Sequence, residues 1–190
     1  MTGNWPVEAT FTSSGTTGAA TSKHYIRNLR EYQVNSIQGF SSHYSNIKDF
    51  CVLALLPSYL ERKGSSLVYM VEQFIKASKY PQSNFFLNNL EELNKELQHN
   101  EKQGITTLLL GVSFALLDFA EQYSQRLDNT IIMETGGMKG KRKELTRKEL
   151  HKILTDAFQT ETIHSEYGMT ELLSQGYSKG KGIFLSLIHI

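Results

Sequence analysis

The sequence predicts an α/β fold, a mainly parallel sheet flanked by helices, and three observations carry that expectation. Apolar, β-prone runs recur along the chain, segments of helical period separate them, and 190 residues with 39% hydrophobic side chains suffice for one ordinary core. In chain order, a strand at 8–12 leads into a loop of Gly, Ser and Thr, and a helix is expected over 21–41, its end blurred by polarity and by Gly39. A strong apolar strand at 50–56 follows. Leu67, Val71, Phe74 and Ile75 then mark one helix face. A strand at 84–87 precedes an exposed, charged helix over 89–103, capped by Asn89. After a strand at 106–113, Leu116, Ala120, Tyr123 and Leu127 mark a further helix face. The strand 130–134 comes before the best-signalled helix. There Thr146 and Glu149 form a capping box, Leu145 and Leu150 staple across it, and Ile153, Leu154, Ala157 and Phe158 continue at helical spacing. A weak strand is read at 161–164.

Composition narrows the function classes. The formal charge is +1, and the one basic cluster is short: Lys139, Lys141, Arg142 and Lys143. Nothing in that balance calls for nucleic acid or an anionic membrane. No apolar stretch approaches the roughly 20 residues that span a bilayer, so no membrane span is expected, and the start has no signal-peptide pattern. Cys51, the single cysteine, lies inside an apolar run. It leaves no internal disulfide and no cysteine-rich zinc site, fits a cytoplasmic, reducing compartment, and reads as a buried structural thiol rather than an acyl acceptor. The histidines lack metal-ligand spacing, and no Ser-His-Asp arrangement is legible.

Two segments could carry chemistry. Residues 12–18 read TSSGTTG, between an expected strand and an expected helix. Gly15 and Gly18 permit close backbone approach, and the hydroxyls of Ser13, Ser14, Thr16 and Thr17 with main-chain N–H groups can bond anionic oxygens. The spacing is not that of a Walker loop, and alone the stretch reads as a polar turn. Residues 167–171 read YGMTE. An aromatic face, a glycine turn, a hydroxyl and a carboxylate arrive together, enough to stack a base, touch a phosphate and hold Mg²⁺. Alone, that segment reads as a turn into a short helix.

In this order the two segments resemble the adenylate-forming superfamily. EYGMTELLSQGY, FTSSGTTG followed by SKHY, and the intervening ETGGMKGKRKEL are similar to the LuxE-type acyl-protein synthetases in particular, over residues 11–177. The resemblance implies a partial N-terminal-type adenylation domain over 1–184, with ATP and Mg²⁺ as cofactors. Ser13, Ser14, Gly15, Thr16, Thr17 and Gly18 would hold the outer phosphates. Tyr167, with Gly168, would lie against adenine, Thr170 near the α-phosphate, and Glu171 on Mg²⁺, so that Thr170 and Glu171 are the expected catalytic residues. Gly136 and Gly137 resemble the family's glycine turn at the adenine pocket, although a plain strand-ending turn explains them as well. The family's loop lysine falls at Thr21 here. Lys23, with His24 beside it, is therefore carried as a phosphate contact, against the plainer reading of an exposed helix residue. The stretch 57–64, with Tyr59 as gate, resembles the acyl-pocket loop or is an ordinary strand-to-helix connection.

The activity so implied is ATP-dependent activation of a fatty carboxylic acid as an acyl-adenylate, followed by acyl transfer to a protein thiol, with an acyl reductase as partner. An acid–coenzyme A ligase of the same superfamily and a non-catalytic nucleotide-binding relic are the alternatives. Both ends depart from a natural domain. Residues 185–190 read LSLIHI, the translation of a common transposon adaptor, and are expected to add nothing to the fold. Family members also need a downstream acidic residue and a C-terminal catalytic lysine. The chain is therefore expected to be a fragment that does not complete acyl transfer.

Overall fold

The computed structural model describes residues 5–12, 22–57, 64–138 and 140–186. Their elements run β1 (Ala9–Thr12), β2 (Lys23–Ile26), α1 (Leu29–His43), β3 (Cys51–Leu55), α2 (Ser66–Ala77), β4 (Asn84–Phe86), α3 (Leu90–Gln103), β5 (Thr107–Val112), α4 (Ser113–Gln122), β6 (Thr130–Thr135), α5 (Arg147–Phe158), β7 (His164–Met169), β8 (Ser174–Ser178) and β9 (Leu185–Ser186). Seven strands form one sheet in the order β4-β3-β5-β6-β7-β8-β9. It is parallel from β4 to β7 and antiparallel from β7 to β9. The fold is thus the expected α/β one, a mainly parallel sheet flanked by helices.

The centre of the sheet explains the apolar runs. Every residue of β3 and β5 is buried, because helices cover both faces and such strands cannot alternate polar with apolar. The chain reverses its direction across the sheet at β3: β4 lies on one side of it and β5 on the other. Right-handed crossovers then put α2 on one face and α3 and α4 on the opposite one, where α4 packs against α5. Helix α1 joins α2 and lies over β8. There a Cβ at Gly39 would meet the ring of Tyr177 at 3.9 Å, an ordinary contact. The capping box of α5 forms as expected, with Thr146 Oγ1 accepting from Glu149 N at 3.3 Å and Glu149 Oε2 accepting from Thr146 N at 2.8 Å.

Four expectations need correction. The strand at 8–12 does not enter the main sheet: β1 pairs antiparallel with β2 in a separate ribbon. The helix expected over 21–41 starts only at Leu29, because Asn28 caps it, accepting from Arg30 N and Glu31 N, and Glu8 Oε2 accepts from Leu29 N at 2.7 Å. Gly39 does not end it; it runs on to His43. Helix α4 ends at Gln122, so Tyr123 is its C-cap and Leu127 lies beyond, buried before β6. The weak strand expected at 161–164 is displaced: residues 161–163 are not strand, and β7 begins at His164 and runs on through Tyr167, Gly168 and Met169.

Candidate functional site

The carboxyl edge of the parallel strands, where open α/β sheets bind ligands, gathers Gly136, Gly137, Tyr167, Gly168, Thr170 and Glu171. Ser13, Ser14, Gly15, Thr16, Thr17 and Gly18 lie outside the described residues, as do Thr21 and Tyr59, but the flanks of their segments are defined. Thr12 and Lys23 face each other across the ribbon at the two flanks of the Gly/Ser/Thr segment, and Lys23 is exposed on a strand rather than a helix. Thr12 N donates to Gly64 O at 2.9 Å. Gly64 has φ +84°, and a Cβ there would come within 2.7 Å of Thr10 O, so both backbone conformation and space demand glycine. Two residues on, Ser66 opens α2 and its Oγ is 2.8 Å from Thr170 Oγ1. One short stretch, Gly64 to Ser66, thereby joins Thr12, at the start of the Gly/Ser/Thr segment, to the YGMTE segment.

The short helix expected in that segment forms, but a strand and not a turn leads into it. Tyr167 and Gly168 are in the extended strand β7, Thr170 begins a 3-10 turn, Thr170–Leu172, and Leu173 at φ 50° leads into β8. Tyr167 is 60% exposed, which leaves a ring face open to a ligand. Glu171 is exposed on the turn. Gly168 makes room rather than a bend: a Cβ there would lie 3.3 Å from Glu166 Oε1. On the adjacent strand, Gly136 follows Thr135, the residue registered with Glu166, and has φ +69°. Gly136 thus turns the chain beside Tyr167, whereas a Cβ at Gly137 would meet nothing within 4 Å.

Beneath this edge lie two buried carboxyl groups that sequence reasoning missed. Glu134 faces α4 and α5. Its Oε1 is 3.4 Å from Arg147 Nε and 3.5 Å from His151 Nε2, and its Oε2 accepts from Ser113 Oγ at 3.2 Å. Burial acts to raise this carboxyl, but hydrogen bonds from His151 and Ser165 and the charge of Arg147 outweigh it and hold the group below its usual range. Glu166 faces the other helix layer and is buried. Burial pushes it up to about 7, the bond from Thr135 Oγ1 at 2.5 Å offsetting only part of that and the charge of Glu134 adding to it. Around it, Gln175 Nε2 donates to Tyr32 Oη at 3.0 Å and Tyr32 Oη donates to Ser66 O at 3.2 Å. Gln175 Oε1 is buried and accepts from no donor among the described residues. The sequence held one signal for Glu134, a carboxylate closing the apolar run TIIME, and none for Glu166.

A cleft of about 340 Å³ opens where the strand order reverses, between the ends of β3, β4 and β5. Leu55, Pro57, Leu87 and Phe114 give it apolar walls; Lys141 and Arg142 stand at its rim, Arg142 tied to Asp118 and Glu121. Cys51 is buried at the far end of β3 from this cleft, and burial raises its thiol. Among the described residues no helix is long and apolar enough to cross a membrane, and no cluster of three or more His, Cys, Asp and Glu is placed to hold a metal ion.

Fold and edge together define an open, mainly parallel α/β domain with a polar constellation at its carboxyl edge. Comparison of the chain with protein-family models, with curated proteins and with solved structures finds no match.

Proposed function

We propose that this chain is the nucleotide-binding part of an ATP-dependent, AMP-forming acid ligase of the acyl-protein synthetase kind, acting on a fatty carboxylic acid and passing the acyl group to a protein thiol. One observation supports this reading above others: Thr12, the first residue of TSSGTTG, and Thr170 of YGMTE meet through Gly64 and Ser66. The resemblance pairs the same two motifs around the phosphates of one nucleotide. In this reading the carboxylate oxygen of the acid attacks the α-phosphorus, the bond to the bridging oxygen breaks, and pyrophosphate leaves with that electron pair. An ionised acid has no proton to give up, so no general base is needed. The chain's own contribution is placement and charge. Ser13, Ser14, Gly15, Thr16, Thr17 and Gly18 cradle the outer phosphates, with Lys23 at the exit of their segment. Thr170, steadied by Ser66, meets the α-phosphate, and Tyr167 lies flat on the base beside Gly136 and Gly137.

Glu171 suits magnesium in one specific way. It is exposed at the edge, and none of the described residues bonds its carboxylate. Such an ion is commonly held by one or two carboxylates together with phosphate oxygens and water rather than by a protein cage. Bound there, it supplies charge stabilisation for the leaving pyrophosphate.

The test is acid-dependent exchange of labelled pyrophosphate into ATP by the protein encoded by the whole gene. Glu171→Gln should slow exchange by a factor on the order of a hundred while circular dichroism stays unchanged. Exchange at the parent's rate at every Mg²⁺ concentration would remove Glu171 from the metal. No exchange by the parent with any acid would sink the reading itself.

A further inference from the structure

Arg147 does more than pair with Glu134. It is the first residue of α5, and its side chain reaches in two directions. Toward the sheet, Nε lies 3.4 Å from Glu134 Oε1, and the other oxygen of that carboxylate accepts from Ser113 Oγ, which is also 3.4 Å from Gly136 O. Toward solvent, its guanidinium carbon sits 4.8 Å from the centre of the Phe184 ring, and Phe184 packs edge-on against Tyr167, centroids 6.3 Å apart. One side chain therefore touches both the support of the Gly136 turn and the support of the Tyr167 ring. Register puts those two features on the same face. Glu134 is paired with Ser165, and Gly136 and Tyr167 each lie two residues further along adjacent parallel strands.

We propose that Arg147 is a positioning residue that fixes the gap between the Gly136 turn and the exposed ring of Tyr167, and thereby the fit of a flat, base-like ligand held there. Resting on the nucleotide-binding reading above, the inference adds to it a residue that touches no ligand. The pairing through Phe184 is a cation–π contact, and a guanidinium serves it best because it can stack and hydrogen-bond at once. Rearrangement of either arm would move the ring relative to the turn without disturbing the sheet, whose strands pair independently of Arg147.

The experiment uses the full chain and two readouts, one of which needs no ligand. In amide hydrogen exchange of the free protein, Arg147→Ala should speed exchange at both 136–138 and 167–169, Arg147→Lys should restore part of the protection, and the thermal midpoint should move by only a few degrees. Calorimetric titration with Mg·ATP should show affinity falling about tenfold in Arg147→Ala, and the double variant with Tyr167→Ala should bind no more weakly than Tyr167→Ala alone. Phe184→Leu keeps the ion pair but removes the ring. It should reproduce the loss of affinity, and it carries the test if Arg147→Ala does not fold. Unchanged affinity in Phe184→Leu and Arg147→Ala, with Tyr167→Ala impaired, overturns the positioning role and leaves the nucleotide reading intact. No ATP binding by the parent overturns the nucleotide reading instead. In that case faster exchange at both segments still upholds the coupling, and faster exchange at one segment or neither overturns it.

Discussion

Glu166 makes acid–base chemistry visible at the scale of a single residue. In the folded chain its carboxyl is pushed up to about 7, chiefly by burial, from an ordinary value near 4.5. Between those values the folded protein holds a proton that the unfolded chain has already released. Stability therefore falls as pH rises through that window and stays reduced above it, by roughly 3 kcal/mol for a shift of this size. Glu166→Gln, which imitates the protonated acid, should be more stable than the parent at pH 8 and nearly level with it at pH 4.5, in urea denaturation followed at both pH values. His164 pulls the other way. Burial, with the charges of Lys179 and His151, pushes its imidazole down to about 4, so its contribution is lost as pH falls from about 6.5 toward that value. The two slopes oppose each other over the shared part of the range, and removing Glu166 should uncover that of His164. An unaltered pH profile in Glu166→Gln would show that this carboxyl does not govern the slope. None of this was legible in the sequence. A lone glutamate before YGMTE carries no mark of burial, because what encloses it comes from β6, β8 and α1, far away in the chain.

At the scale of elements, legibility followed the strength of local signals. The capping box of α5 and the apolar strands β3, β5 and β6 were readable because the physics that forms them acts within a few residues or demands an unbroken apolar run. The ribbon was misread because KHYI is compatible with a helix start; what makes it β2 is pairing with β1, a contact across a ten-residue connection. The short helix of YGMTE was readable, but the turn before it was not, because Gly168 invites a turn and is instead in a strand, where a Cβ would lie 3.3 Å from Glu166 Oε1. Gly111 shows the same logic in the core. Helix α4 begins immediately after β5, and a Cβ on Gly111 would lie 2.8 Å from Leu116 Cγ and Cδ2 and 3.3 Å from Leu55 O. Gly111→Ala should therefore cost about 1–3 kcal/mol through overpacking. The cost should shrink when Leu116 is also changed to Ala, since the smaller side chain vacates the contact. Equal costs in the two backgrounds, from urea midpoints, would point to the backbone near Leu55 as the obstacle.

Over the whole molecule, the sheet grades from a centre bonded and covered on all sides to margins held by little. β5 is paired on both edges and wholly buried, with β3 and β6 beside it. The ribbon β1–β2 has a single pairing, and although Phe11 packs against Tyr32 and Tyr69, Tyr25 is 58% exposed. β9 is a two-residue edge beside β8, with Leu185 60% exposed. The class of this arrangement was legible from alternating strand and helix signals. Its strand order was not, since order depends on which connection crosses which strand, and the polar SQGYS of β8 gives no local sign that it pairs with β7. The gradient makes a prediction. Isolated two-stranded ribbons are marginal in water, and local opening costs far less where few apolar contacts must break. In native-state amide exchange, β3, β5 and β6 should open only with global unfolding, whereas β1, β2 and β9 should exchange at least about a hundredfold faster. Removing residues 185–190 should then lower the thermal midpoint by no more than a few degrees, because the strand lost is short and exposed. Protection of β1 and β2 equal to that of β5 would mean that the ribbon is bound into the core. A fall of many degrees on truncation would mean that the β8 edge depends on its last strand.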